Sequence, residues 1–138
     1  MRIGLFGGTF DPPHTGHLIV ASDAFEQLEL DRLILIPSAD PPHKRGKVHG
    51  TALERLEMVR AAVRDDPRFE VDDLELRRGG ASYSVDTLRQ MQARHPGAEL
   101  FFLVGADQMR ELHSWREPHE VARLACLSVL TREGERAP

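Results

Sequence analysis

His14 and His17 stand three residues apart in the stretch Gly7-Gly8-Thr9-Phe10-Asp11-Pro12-Pro13-His14-Thr15-Gly16-His17. At the start of a helix that spacing turns both imidazoles to one side, where two donors can converge on a single phosphate. The flanking residues suit an anion. Gly7 and Gly8 remove side chains where backbone would approach a ligand, Thr9 offers a hydroxyl and an N–H, and Gly16 leaves room at a helix N-terminus whose free N–H groups attract negative charge. A metal site or two solvated histidines are the other readings of the pair. Zinc would need a third nitrogen, sulfur or carboxylate ligand, and Cys126, the only cysteine, lies far along the chain. Neither GxxxxGK[ST] nor GxGxxG is present, so the stretch is not one of the standard phosphate loops.

Further along, Pro41-Pro42 stiffens a loop in which His43, Lys44, Arg45 and Lys47 gather positive charge, either as a local phosphate patch or as a solvated charged loop. Ser84, preceded by Ser82 and Tyr83, opens a helix whose first N–H groups suit a small carboxylate. Trp115 is the only tryptophan and sits between Ser114 and Arg116 in a polar segment. Its flat ring can stack on a pyridine or serve as half-buried packing. Gly105 permits close backbone approach, and Asp107 can bond ribose hydroxyls, orient a donor or N-cap a short helix.

The elements that must position these residues follow from periodicity. Ile3 to Phe6 is a short apolar run stopped by glycines, Leu18, Ala21, Phe25 and Leu28 recur at helical spacing, and Leu33 to Ile36 is a second buried run ended by Pro37. Leu56, Val59 and Val63 mark a second helix, and Phe69, Val71, Leu74 and Leu76 alternate like a strand broken at Asp72-Asp73. Val85, Leu88 and Met91 mark a helix capped by Ser84 or Ser82, and Leu100 to Val104 reads as a central strand. A short helix from about Pro118 to Ala125 and a strand from about Cys126 to Leu130 complete the pattern. This alternation predicts an α/β fold: a Rossmann-like, doubly wound parallel sheet of about five strands with helices on both faces. Ligands then bind beyond the carboxyl ends of the strands, so the loops after Phe6, Ile36, Leu76 and Val104 are the ones that matter.

Gly8-Thr9-Phe10-Asp11 followed by His14-Thr15-Gly16-His17 resembles the GTFDxxHxGH element of the nucleotidylyltransferase superfamily, whose HxGH histidines bind nucleotide phosphates during adenylyl or cytidylyl transfer. With the doubled Gly7-Gly8, Pro41-Pro42-His43-Lys44, Ser82-Tyr83-Ser84 with Asp86-Thr87-Leu88, Gly105-Ala106-Asp107 and Trp115, the chain is similar to the bacterial nicotinate mononucleotide adenylyltransferases over nearly its whole length. The resemblance implies adenylyl transfer from ATP to nicotinate mononucleotide with release of pyrophosphate, a step of NAD synthesis. It implies that His14 and His17 hold the ATP phosphates, Thr9 and Phe10 line the nucleotide cleft, Lys44 with His43 offsets phosphate charge, and Trp115 lies against the nicotinate ring. Gly7, Gly8, Ser38, Tyr83, Ser84, Gly105 and Asp107 complete the implied substrate-binding set. Magnesium is expected to travel with the triphosphate, without a carboxylate cage of the protein's own.

Three alternatives belong to the same sequence. One is a related transferase with another acceptor, such as phosphopantetheine or a phosphoalcohol with CTP. Another is an amide-preferring or dual-specificity version that binds nicotinamide mononucleotide as well. The third is a nucleotide-binding module without catalysis, motivated by a departure from the family. The chain ends Thr131-Arg132-Glu133-Gly134-Glu135-Arg136-Ala137-Pro138 without the family's Ser/Thr-rich ISxTxIR-like element. The expectation is therefore a single domain over residues 1–138, truncated at its C-terminus.

Composition excludes much else. With 138 residues, one domain is expected at roughly 100 to 200 residues per domain. Apolar residues at 41% and charged residues at 29% exclude collagen, coiled coil and wholesale disorder. Eighteen Lys plus Arg against 22 Asp plus Glu give a net charge of −4, which provides no global field for nucleic acid or an anionic membrane. The apolar runs fall far short of the ~20 residues that span a bilayer, and the N-terminus meets Gly7-Gly8 too soon for a signal-peptide core. A cytoplasmic location is expected, and a homodimer is compatible with the sequence. Cys126 is expected to be a small buried hydrophobe.

Overall fold

The computed structural model describes residues 1–8, 10, 15–39, 51–79 and 83–130. Its elements run β1 (Arg2–Gly8), α1 (Thr15–Gln27), β2 (Arg32–Pro37), α2 (Ala52–Val63), β3 (Phe69–Val71), α3 (Leu74–Arg78), α4 (Ser84–Arg94), β4 (Glu99–Gly105), α5 (Ala106–Arg110), a 3₁₀ turn (Leu112–Ser114), α6 (Pro118–Leu124) and β5 (Cys126–Leu130). The strands form one sheet in the order β3-β2-β1-β4-β5. Every neighbouring pair is parallel. No helix among the described residues is long and apolar enough to cross a membrane.

The continuous apolar runs of β1, β2 and β4 are explained by burial on both faces. Ile3, Leu5, Ile34, Ile36, Leu100, Phe102 and Val104 point to a core shared with Leu74 of α3, Val85, Leu88 and Met91 of α4, and Val121 and Leu124 of α6. Their neighbours Phe6, Leu33, Leu35, Phe101 and Leu103 point the other way, to Ala21 and Ala24 of α1 and Val59 and Val63 of α2. The chain builds outward from β1 to β2 and β3, then returns to the other edge for β4 and β5. Strand order therefore reverses at β1, and the crevice beyond the carboxyl ends of β1 and β4 is the switch point.

Three local expectations are corrected. Leu74 and Leu76 do not continue the third strand, because Asp72 accepts the Leu74 N–H on Oδ1 (2.9 Å) and the Asp73 carbonyl accepts the Arg77 N–H (2.9 Å). These bonds start α3 in place of strand pairing. Ser84 does not cap α4: the cap position is Tyr83, extended at φ −112° and ψ 132°, and Ser84 is the first helical residue, while Ser82 lies outside the described residues. Cys126 is exposed at the start of β5, which pairs with β4 at the edge of the sheet among the described residues.

A buried guanidinium ties the loop ends together. Thr51 and Glu54 form a reciprocal capping box that fixes the first turn of α2. From that turn Arg55, only 1% exposed, donates to the carbonyl oxygens of Ser38 (2.6 Å) and Ala39 (3.3 Å). Ser38 in turn donates its N–H (2.9 Å) and its hydroxyl (3.3 Å) to the Gly8 carbonyl. The ends of β1 and β2 and the first turn of α2 are thus one hydrogen-bonded unit. Arg55→Met keeps the buried volume but removes both donors, and is expected to cost about 1–3 kcal/mol, read as a lower urea midpoint at unchanged m-value.

Candidate active site

β1 delivers Gly7 and Gly8 to the switch point, and the two glycines differ in what they permit. A Cβ on Gly7 would meet the Phe102 ring at 3.7 Å and the Ile36 carbonyl at 3.9 Å, which is ordinary contact. A Cβ on Gly8 would press on three Phe10 ring carbons at 3.2 to 3.5 Å. A side chain at Gly8 would therefore need the Phe10 ring to give by a few tenths of an ångström. Phe10 is 4% exposed, and its φ of 50° lies in the left-handed region that side chains rarely adopt. Its ring meets Phe6 edge-on at 5.4 Å, and His17 edge-on at 5.4 Å. The sequence places Phe10 along a nucleotide cleft; the structure puts its ring in the α1–α2 core, with only backbone left to face a ligand.

His17 lies in the first turn of α1, half-buried, with its imidazole also edge-on to Phe6 at 6.2 Å. Two aromatic contacts fix the ring plane before any ligand arrives. Ser38 is 9% exposed and committed to the Gly8 carbonyl, so its contribution is to hold the β1 loop. Thr9, His14, His43 and Lys44 lie outside the described residues.

The other wall comes from β4 and the segments packed above it. Trp115 is half-buried against the α3–α4–α6 core, edge-on to Phe102 at 6.0 Å. It belongs to an apolar surface, although its sequence neighbours are polar. Since Phe102 also lies under Gly7, Trp115 stands over the paired β1 and β4 strands. Tyr83 and Ser84, both half-buried, begin α4, and the Arg116 guanidinium lies over the Tyr83 ring at 4.0 Å. The residue after Arg116, Glu117, has a φ of 49° and is forked by Arg89 at 2.8 and 3.2 Å. That fork is the main reason the Glu117 carboxyl is held below its ordinary range.

Gly105, at the end of β4, occupies the cap position of α5 and donates its N–H to Gln108 Oε1 at 3.0 Å. Asp107 is therefore not the cap. Its side chain is fully exposed and accepts from Arg110 at 2.6 Å. Sequence reasoning missed Arg55 and Arg116. Arg55 stands four residues before Val59 on the buried face of α2, a spacing at which a charge is out of place unless it has partners. Arg116 has no signal beyond its place beside Trp115.

Residues 5–134 match the family described as cytidylyltransferase-like. A protein of Opitutus terrae named "Probable nicotinate-nucleotide adenylyltransferase" is 50% identical over 134 residues, covering 97% of this chain and 69% of its own length. One of the same name from Citrifermentans bemidjiense is 47% identical over 134 residues, covering 97% of this chain and 62% of its own. The chain thus spans about two thirds of the length of the curated relatives it matches. Plasmodium falciparum nicotinic acid mononucleotide adenylyltransferase complexed with APC superposes with a TM-score of 0.79 at 16% identity, over 99% of this chain and 67% of that one, which bears on the fold alone. The order of these strands, the histidine at the start of α1 and the identity to these relatives place the chain in the nicotinate-nucleotide adenylyltransferase family.

Proposed function

We propose that the chain transfers the adenylyl group of ATP to nicotinate mononucleotide, giving nicotinate adenine dinucleotide and pyrophosphate, in the cytoplasmic synthesis of NAD. The observation that carries this reading is the pair of walls at the switch point: the pre-oriented imidazole of His17 on the α1 side, and Trp115 with Tyr83 on the α4 side. One wall suits a polyphosphate and the other a flat aromatic ring.

In this reading a phosphate oxygen of the mononucleotide attacks the α-phosphorus of ATP. The new P–O bond forms as the bond to the bridging oxygen breaks, and that oxygen leaves with pyrophosphate. No covalent enzyme intermediate is needed, so the residues act by positioning and charge stabilisation. His14 and His17 donate to the ATP phosphates, and Lys44 with His43 offsets their charge. Gly7, Gly8, Thr9 and the Phe10 backbone floor the nucleotide side, while Gly105 and Asp107 face the ribose. Asp107 would exchange its Arg110 partner for hydroxyls, a change that costs little at a fully exposed pair. Ser84 and the first N–H groups of α4, an eleven-residue helix, face the nicotinate end. Magnesium would enter on ATP, held by the triphosphate, and would supply charge neutralisation on the phosphates beside His14, His17 and Lys44.

The test is pyrophosphate release with ATP and magnesium, offering nicotinate mononucleotide and nicotinamide mononucleotide in parallel. A strong preference for the acid is expected; release with another acceptor only, or ATP binding without release, would overturn the reading. His17→Ala is expected to lower turnover at least about 10²-fold, the usual loss for one preorganised donor. Thermal unfolding should move less than turnover, since the ring is half-buried at the start of a helix; near-normal turnover would remove His17 from the mechanism.

A further inference from the structure

The guanidinium groups around Trp115 are unequally engaged. Arg110 donates to Asp107, Arg123 to Glu120 and Arg89 to Glu117. Arg116 is exposed, lies 4.0 Å over the Tyr83 ring and, among the described residues, has no carboxylate within ion-pair distance. The acid that follows it in the chain, Glu117, accepts its hydrogen bonds from both nitrogens of the Arg89 fork and reaches Arg116 through charge alone, which leaves the Arg116 N–H donors without a bond to it. A guanidinium stacked by its face on an aromatic ring keeps its in-plane N–H donors available. The matching acceptor for two such donors is a planar, two-oxygen anion.

Arg116 also stands where such an anion would arrive. It is one residue from Trp115, whose ring rests on Phe102, and it lies on Tyr83, the residue that leads into α4. These are the aromatic groups that the proposed function assigns to the pyridine end of the acceptor. We propose that the Arg116 side chain, held flat by Tyr83 and left open by the Arg89–Glu117 pair, recognises the acceptor's ring carboxylate and thereby selects the aromatic acid mononucleotide over its amide. This inference rests on the acceptor reading above. It adds a side-chain determinant to the backbone N–H groups of α4.

The experiment compares the chain with Arg116→Gln and Arg116→Lys, measuring the binding of nicotinate mononucleotide and nicotinamide mononucleotide by calorimetry at two salt concentrations. Arg116→Gln is expected to weaken the acid about tenfold and leave the amide within about twofold, the scale of one charge-assisted contact. Arg116→Lys should recover part of the loss, since it restores charge but not the fork. Raising salt from about 50 to about 500 mM should weaken acid binding to the unmodified chain more than to Arg116→Gln, which keeps only the contacts of the acceptor's phosphate. Undiminished acid binding by Arg116→Gln would overturn the inference. So would equal losses for acid and amide, which would make Arg116 a packing residue for Tyr83. If the unmodified chain binds neither mononucleotide, the acceptor reading itself fails, a result separate from either of these.

Discussion

β1 is hydrogen-bonded along both edges in parallel, to β2 from Ile3 to Gly8 and to β4 from Arg2 to Phe6. A strand in that position must be apolar on both faces, and parallel neighbours must be reached by crossovers that place helices over the sheet. From this one constraint follow the two cores, the division of α1 and α2 from α3, α4 and α6, and the reversal of strand order at β1. The candidate site is where those consequences meet. Gly8 and Gly105 end adjacent strands, and His17, Ser84 and Asp107 lie in first helical turns.

The sheet sets the place, and a small number of contacts set the geometry. Phe10 adopts a left-handed backbone, at a typical cost of about 1–3 kcal/mol, and is kept there by burial of its ring against Phe6 and in the space left by Gly8. The same ring fixes His17. Arg55 is a buried charge whose desolvation is offset by carbonyl oxygens at the end of β2, so the start of the segment that carries His43 and Lys44 is anchored to the Gly8 backbone. On the opposite wall Glu117 holds a second left-handed backbone, and its fork with Arg89 joins α4 to the segment bearing Trp115 and Arg116. Each wall thus sets a functional side chain beside a left-handed backbone position: His17 against the buried Phe10 ring, and Arg116 just before the paired Glu117.

Much of this was legible in the sequence. Apolar runs at Ile3 to Phe6, Leu33 to Ile36 and Leu100 to Val104, alternating with helical periodicity, carried the parallel α/β fold, because burial on both faces leaves an unambiguous pattern. The histidine spacing and the glycines before it indicated the β1–α1 loop. Short-range competition was harder to read. At Asp72-Asp73 the Asp72 side chain offered the backbone a turn that alternation alone did not reveal, and Leu74 became helical. Contacts between residues distant in sequence were not legible at all: the Phe10 ring filling the space at Gly8, Arg55 reaching Ser38, and Phe102 lying beneath both Gly7 and Trp115 depend on the assembled sheet.

Trp115 is the only tryptophan, so its fluorescence reports on one place in the molecule. Titrating the chain with nicotinate mononucleotide while following that emission tests most directly whether the acceptor lies over the β1–β4 crevice. The account predicts saturable quenching with a midpoint equal to the calorimetric Kd, as the pyridine stacks on the indole. Saturated binding with unchanged emission would place the acceptor elsewhere and contradict it.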